Sequence, residues 1–143
     1  MKKEIKLSFI NNLQNNKSSD WEFIHVIIGP RQVGKTTGIL QYLKSFPTDS
    51  HHYISADGPL LKGPEWLEEQ WLTLSGKSAQ GILVIDEIQK IENWSEVLKK
   101  LWDKQKLKSE KIKVIVLGSS SLQIQKGLSE SLTGRFILHR VHQ

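Results

Sequence analysis

A glycine-rich segment constrains this chain more than any other feature. Residues 29–36 read GPRQVGKT and match the pattern G-x-x-x-x-G-K-[ST] in full. The apolar residues 23–28 before it read as a buried strand, and residues 35–46 after it read as a helix that Pro47 stops. A strand, a glycine-rich turn and a helix in this order can surround a phosphate group with backbone amides.

Each position of this loop has a physical role. Gly29 and Gly34 allow backbone conformations that other residues resist, and the helix N-terminus adds a positive partial charge. Lys35 would place its charge on the β- and γ-phosphates, Thr36 would be a Mg²⁺ ligand, and Thr37 would reach the α-phosphate. We therefore predict that the whole loop binds nucleotide: Gly29, Pro30, Arg31, Gln32, Val33, Gly34, Lys35, Thr36 and Thr37.

Short apolar runs alternate with amphipathic stretches along the chain, which predicts an α/β domain with a mostly parallel sheet. Further strands are expected at residues 52–56, 81–85, 112–117 and 136–141, and further helices are expected from residue 64 and over residues 94–107 and 122–132. Asn93 is the expected N-cap of the helix over 94–107. Residues 1–20 fit a helix or a strand followed by a polar loop, so we place the core at residues 21–143.

Two carboxylates follow the apolar residues 82–85. In an open parallel sheet the carboxyl ends of the strands form the ligand crevice, so Asp86 and Glu87 should face the phosphates. Asp86 would hold the Mg²⁺ shell with Thr36, and Glu87 would activate the attacking water. The strand at 52–56 suggests that the strand at 23–28 and the strand at 81–85 are not neighbours in the sheet and that a further strand lies between them. Residues 112–117 are the simplest candidate for this inserted strand.

Two further polar positions have alternative interpretations. Ser119 or Ser120, at the end of the strand 112–117, either touches the γ-phosphate or the attacking water, or caps the next helix. Arg135, before the last strand, either stabilises transition-state charge in the site of a neighbouring copy or makes a structural salt bridge.

Composition narrows the classes of function. The 143 residues suffice for one domain, and the absence of cysteine excludes a disulfide scaffold and Cys-ligated metal sites. We identify no signal peptide and no membrane-spanning run, and we expect a cytoplasmic protein. The net charge of +5 admits nucleic acid as a partner, although scattered lysines are more typical of an ordinary nucleotide-binding domain.

Taken together, the motifs resemble the AAA+-class ATPases of bacteria and archaea whose ATPase core is followed by a C-terminal domain of unknown function. The matching stretches are residues 29–37, 86–91 with Trp94, 118–121 and 130–135. The resemblance implies a three-layer P-loop NTPase core with Mg-ATP as its ligand and helices on both faces of a five-stranded sheet of order 5-1-4-3-2. It also implies a set of site residues: Lys35 and Thr36 at the nucleotide, Asp86 and Glu87 at Mg²⁺ and water, the Ser119–Ser120 region as sensor, and Arg135 as a finger-like catalytic residue.

Some expectations stay open at this stage. Gln89 either helps to place the acidic loop, residues 87–93, or only fixes its turn. Members of the resembling family continue beyond the last core strand, so we expect this chain to be the ATPase core of a longer protein, without its lid. A homo-oligomer and a protein partner bound through the C-terminal domain are further expectations. The function is either ATP hydrolysis to ADP and phosphate or regulatory nucleotide binding with little turnover; a GTPase is disfavoured because no N-K-x-D motif follows the loop.

Overall fold

The computed structural model describes residues 22–30, 34–60, 62–77, 80–108, 111–119 and 121–141. Strands and helices alternate along this part of the chain. The strands are β1 (Ile24–Ile28), β2 (His51–Ser55), β3 (Ile82–Asp86), β4 (Lys113–Gly118) and β5 (Phe136–Arg140). The helices are α1 (Lys35–Leu43), α2 (Pro64–Lys77), α3 (Trp94–Gln105) and α4 (Ser121–Ser131), and 3-10 turns cover Thr48–Ser50 and Ile88–Lys90.

The five strands form one sheet in the order β2-β3-β4-β1-β5, and every pairing is parallel. β4 lies between β1 and β3, with Ile115 opposite both His25 and Val84. All residues of these three strands are buried, as expected of a parallel sheet that helices cover on both faces. The α/β class, the strand order and the inserted strand at 112–117 are therefore confirmed.

Alternation along the strands divides the core into two layers. Ile24, Val26 and Ile28 of β1 pack into a cluster that contains the buried apolar residues of α2, α3 and α4. Ile27 faces the other way and packs with Ile39 of α1. The helices therefore lie on both faces, with α1 on one side and the other three helices opposite.

Polar side chains inside these layers have specific partners. The amide of Gln105, at the end of α3, exchanges two hydrogen bonds with the backbone of Ile112: its Nε2 donates to the carbonyl over 3.0 Å, and the Ile112 N–H donates to its Oε1 over 2.8 Å. This clamp fixes where β4 begins. Lys113, which is 2% exposed, donates from Nζ to the Tyr42 hydroxyl of α1 over 2.7 Å. Because an unpaired buried amine would be costly, this bond helps the interior to accept the lysine.

The structure also differs from some sequence-based expectations. The predicted helix 35–46 ends as an α-helix at Leu43, because the chain then tightens into i+3 hydrogen bonds, such as Phe46 N–H to the Leu43 carbonyl at 3.0 Å, before Pro47. Asn93 is the N-cap residue of α3, as predicted, but its side chain does not cap the helix. Asn93 precedes α3 in a left-handed conformation (φ 55°, ψ 32°) and makes no capping hydrogen bond. A capping side chain normally requires extended backbone at that position.

Two further expectations concern the N-terminal segment and membrane-spanning helices. Residues 1–20, expected to form a helix or a strand, lie outside the described residues. Within the described residues, no helix combines the length and the apolar character that crossing a membrane would require.

Two helical glycines give a matched test of the packing. A Cβ on Gly127 of α4 would lie 2.6 Å from Cζ2 of the buried Trp94, whereas a Cβ on Gly76 of α2 would meet nothing within 4 Å. Overpacking costs about 1–3 kcal/mol, and alanine gains at most about 1 kcal/mol over glycine in a helix. We expect Gly127→Ala to lower the free energy of unfolding by about 1 kcal/mol and Gly76→Ala to raise it by about 0.5 kcal/mol, measured by denaturant titration. Equal effects of the two substitutions would contradict the described α3–α4 contact.

Candidate active site

A cavity of about 410 Å³ lies where the carboxyl ends of β2 and β3 meet the N-terminus of α1. Backbone and side chains of three segments line it. The lining residues are Gly34, Lys35, Thr36, Thr37, Tyr53, Ser55, Asp57, Asp86 and Glu87. The fold therefore brings the glycine-rich loop and the acidic pair, which are about 50 residues apart in sequence, to one cavity.

The described part of the glycine-rich loop needs glycine at two positions, one for its backbone conformation and one for a close approach. Gly34 precedes α1 with φ 86°, a left-handed conformation that favours glycine. A Cβ on Gly29 would lie 2.5 Å from the Val141 carbonyl oxygen, so this position has no room for a side chain. The first turn of α1 contains no acidic residue, so its own side chains do not neutralise the positive end of the helix. Arg31, Gln32 and Val33, predicted to complete the loop, lie outside the described residues.

Lys35 is 7% exposed and turns back over its own loop. Its Nζ donates to the carbonyl oxygens of Gly29 at 2.9 Å and Pro30 at 2.8 Å. These bonds hold a compact positive charge beside the loop amides. Thr37 lies next to it on the cavity wall.

Asp86 is the link between the loop and the sheet. Its Oδ2 accepts a hydrogen bond from Thr36 Oγ1 at 2.8 Å and another from the Tyr53 hydroxyl. Burial and the bond to Asp86 both raise the pKa of Tyr53, so its phenol stays a protonated donor at neutral pH. Sequence reasoning missed Tyr53, because β2 was treated only as a spacer between the two motifs.

Glu87 occupies a left-handed backbone conformation (φ 55°, ψ 47°), and it is one of two non-glycine residues with positive φ among those described. Its Oε1 accepts hydrogen bonds from Gln89 Nε2 at 2.7 Å and from Ser119 Oγ at 3.2 Å. Ser119 follows β4, so the strand inserted between β1 and β3 carries a hydroxyl to the acidic pair. Ser120 lies outside the described residues.

The donor set suits a magnesium ion held together with phosphate oxygens. Thr36 and Asp86 offer a hydroxyl and a carboxylate that already share a hydrogen bond, which shows that one small cation can reach both. Among the described residues no group of three or more His, Cys, Asp or Glu side chains could hold a metal alone. Mg²⁺ characteristically binds through one or two carboxylates plus substrate phosphates, so the residues fit the implied ion.

Comparison with known proteins identifies the family to which the chain belongs. A family model described as "AAA domain" matches residues 22–143. The chain belongs to the AAA domain family. Family membership and the sheet order together confirm the resemblance to the AAA+-class ATPases and make this a P-loop domain of the nucleotide-binding type.

Two known proteins are similar to this AAA domain, one in sequence and one in structure. It is 31% identical over 115 residues to the uncharacterized protein MJ1544 of Methanocaldococcus jannaschii, a match that covers 78% of this chain and 24% of that protein. The chain thus spans about a quarter of the length of this relative. It is also similar in structure to a DNA polymerase III, gamma subunit-related protein from Thermotoga maritima. That similarity has a TM-score of 0.57 at 12% identity and covers 94% of this chain and 44% of the other. At that identity the likeness shows a shared fold.

Arg135 of the AAA domain is not among the residues that line the cavity. Its guanidinium forms a two-bond pair with Asp103 of α3, Nε to Oδ1 at 2.8 Å and Nη2 to Oδ2 at 3.0 Å, and its Nη1 donates to the Thr133 carbonyl at 3.2 Å. The salt bridge that sequence analysis gave as one alternative is therefore present. The finger role in a neighbouring copy stays a prediction.

The Asp103–Arg135 pair predicts an acid-dependent contribution to stability. Hydrogen bonding to Arg135 holds the pKa of Asp103 below its ordinary value of 3.8. Because the unfolded carboxyl binds protons more readily, the stabilisation is fully present above about pH 4 and is lost as pH falls through the lowered pKa. We expect Arg135→Gln to reduce the free energy of unfolding at pH 7 and to differ less from the parent at pH 3, measured by denaturant titration. Arg140→Gln, which removes an exposed arginine of β5, is the charge-matched control. An equal loss at both pH values would contradict the pair.

Proposed function

We propose that this AAA domain binds Mg-ATP and hydrolyses it to ADP and phosphate. The observation that carries the proposal is the convergence of three elements at one cavity: the glycine-rich loop with Lys35, the Thr36–Asp86 hydrogen bond, and Glu87 beside them. A domain that only held nucleotide would need the first two. Hydrolysis also requires a group that activates the attacking water, and the Glu87 carboxylate in the same cavity can serve as that group.

The residues divide the work by their chemistry. The loop amides and the N-terminus of α1 bind phosphate oxygens, and Lys35 adds a fixed positive charge. Thr36 and Asp86 hold Mg²⁺, which when bound neutralises charge on the phosphates. Tyr53 keeps the Asp86 carboxylate oriented by donating to its Oδ2.

Glu87 acts as the general base. A carboxylate within reach of a water accepts its proton as the oxygen attacks the terminal phosphate. Ser119, which donates to the same carboxylate, connects the end of β4 to this step. We therefore propose the sensor role for Ser119, and the alternative that Ser119 or Ser120 caps the next helix stays a prediction.

The first test is Mg²⁺-dependent ATP hydrolysis over a range of protein concentrations, with Glu87→Gln in parallel. We expect phosphate release by the parent chain and a loss of kcat on the order of 10²- to 10⁴-fold in Glu87→Gln, because the amide cannot accept a proton. Fluorescent-nucleotide binding should be retained in the variant. Lys35→Ala, which removes the loop charge, should weaken binding itself. Nucleotide binding by the parent without turnover above Glu87→Gln at any concentration would favour the regulatory-module alternative.

A second test addresses Arg135 and self-association. A finger residue is worth roughly 10³- to 10⁵-fold in kcat, whereas a structural pair acts only through stability. We expect specific activity to rise with protein concentration, and we expect Arg135→Gln to abolish that rise. Asp103→Asn breaks the same pair but keeps the arginine, so it should leave the rise intact. Equal loss of activity in both variants would show that Arg135 acts only through its contact with α3.

A further inference from the structure

The acidic loop contains a side chain that the hydrolytic roles above do not use. We propose that Gln89 is a positioning residue for Glu87, and that its amide holds the general base where it activates water. This inference rests on the proposed hydrolysis and deepens it. Gln89 acts through Glu87 and not on the nucleotide.

The backbone brings Gln89 back toward Glu87. The left-handed conformation of Glu87 starts a 3-10 turn that the Lys90 N–H closes on the Glu87 carbonyl at 3.0 Å. Non-glycine residues pay roughly 1 kcal/mol or more for such a conformation, and it persists where the surroundings impose it. Here the turn places the Gln89 amide 2.7 Å from the Glu87 carboxylate, two residues away.

The side-chain amide of Gln89 is oriented so that its Nε2 donates to Glu87 while its Oε1 is left without a partner among the described residues. Its Oε1 is buried and has no hydrogen-bond partner among the described residues. Leaving a buried acceptor unsatisfied costs roughly 1–3 kcal/mol. The opposite amide orientation would place an oxygen against the Glu87 carboxylate, so the bond from Nε2 to that carboxylate decides the arrangement.

The neighbours of Gln89 leave the side chain little freedom. Ile88 and Ile91, on either side of it in the turn, are buried at 0% and 2% exposure. A Cβ on Gly118 would lie 3.0 Å from Gln89 Oε1, so the backbone at the end of β4 closes in on the amide. The end of β4 therefore lies close to the Oε1 side of the amide, and the Nε2 side faces Glu87.

Gln89 and Ser119 hold the same oxygen with different strength. Gln89 donates over 2.7 Å from within the acidic loop, whereas Ser119 donates over 3.2 Å from the end of another strand. Short hydrogen bonds to a carboxylate are the stronger ones. Gln89 therefore fixes the carboxylate, and the weaker Ser119 contact is the one that can exchange when phosphate is present.

The decisive variant is Gln89→Met, which keeps the length of the side chain and removes the donor. We expect kcat to fall by on the order of 10- to 100-fold, as for other displaced catalytic groups, with KM and the affinity for ATP unchanged. Gln70→Met is the matched control. Gln70 is a half-buried glutamine of α2 whose Oε1 lies 2.8 Å from His52 Nε2, and its loss should leave kcat unchanged. If Gln89→Met fails to fold, Gln89→Glu takes its place, since it keeps the shape and replaces the donor by an acceptor.

A readout without hydrolysis tests the contact itself. In a double-mutant cycle of Gln89→Met with Glu87→Ala, the change in Tm caused by Gln89→Met should be more unfavourable in the parent than in the Glu87→Ala background. Only the parent loses the Gln89–Glu87 hydrogen bond, whereas removal of the unsatisfied Oε1 affects both backgrounds alike. Additive shifts in Tm would overturn the contact. Parent-like kcat in Gln89→Met while Glu87→Gln is inactive would overturn the positioning role and leave the proposed function intact. Full activity in Glu87→Gln would instead overturn the role of Glu87 as general base.

Discussion

The parallel pairing of β4 with both β1 and β3 is the constraint on which the site depends. It sets the carboxyl ends of three strands side by side, so the glycine-rich loop, Ser119 and the acidic pair share one edge of the sheet. A strand in that position is covered on both faces, and every residue of β4 is buried. The Gln105 clamp and the Lys113–Tyr42 bond matter for this reason, because they fix the start of β4 and therefore where its other end emerges.

The acidic loop is stiffened against the connection that follows β2. Its two ends are the left-handed residues Glu87 and Asn93, each of which turns the chain sharply. Between them Lys90 pairs with Asp57, and the Glu92 N–H donates to the Lys62 carbonyl at 3.1 Å. Strained backbone persists only where surrounding contacts over-determine it, and these contacts do so here. The Gln89–Glu87 bond is therefore built on a segment whose backbone is already fixed.

The sequence was most informative where a pattern is local. The glycine-rich loop and the strand that ends at Asp86 follow from a motif and from apolar runs, whereas the full order of the sheet was implied by the resemblance to the AAA+-class ATPases. Tyr53 could not be placed in this way, because its hydroxyl reaches Asp86 only through the register that sets Tyr53 opposite Val84 and Ser55 opposite Asp86. Asp103 is 32 residues from Arg135, and nothing in the local sequence of α3 marks it as a partner. The lack of a side-chain cap at Asn93 has the same origin, since the residue type suits a cap but the tertiary path of the loop imposes a left-handed backbone at this N-cap position.

The Asp103 pair and a finger role for Arg135 are energetically compatible. The side chains of Arg135 and Asp103 are 26% and 38% exposed, and an ion pair with that access to water is weak because solvent screens it. A phosphate group offers the same planar fork stronger acceptors, so exchange of Asp103 for a phosphate oxygen of a neighbouring copy would cost little.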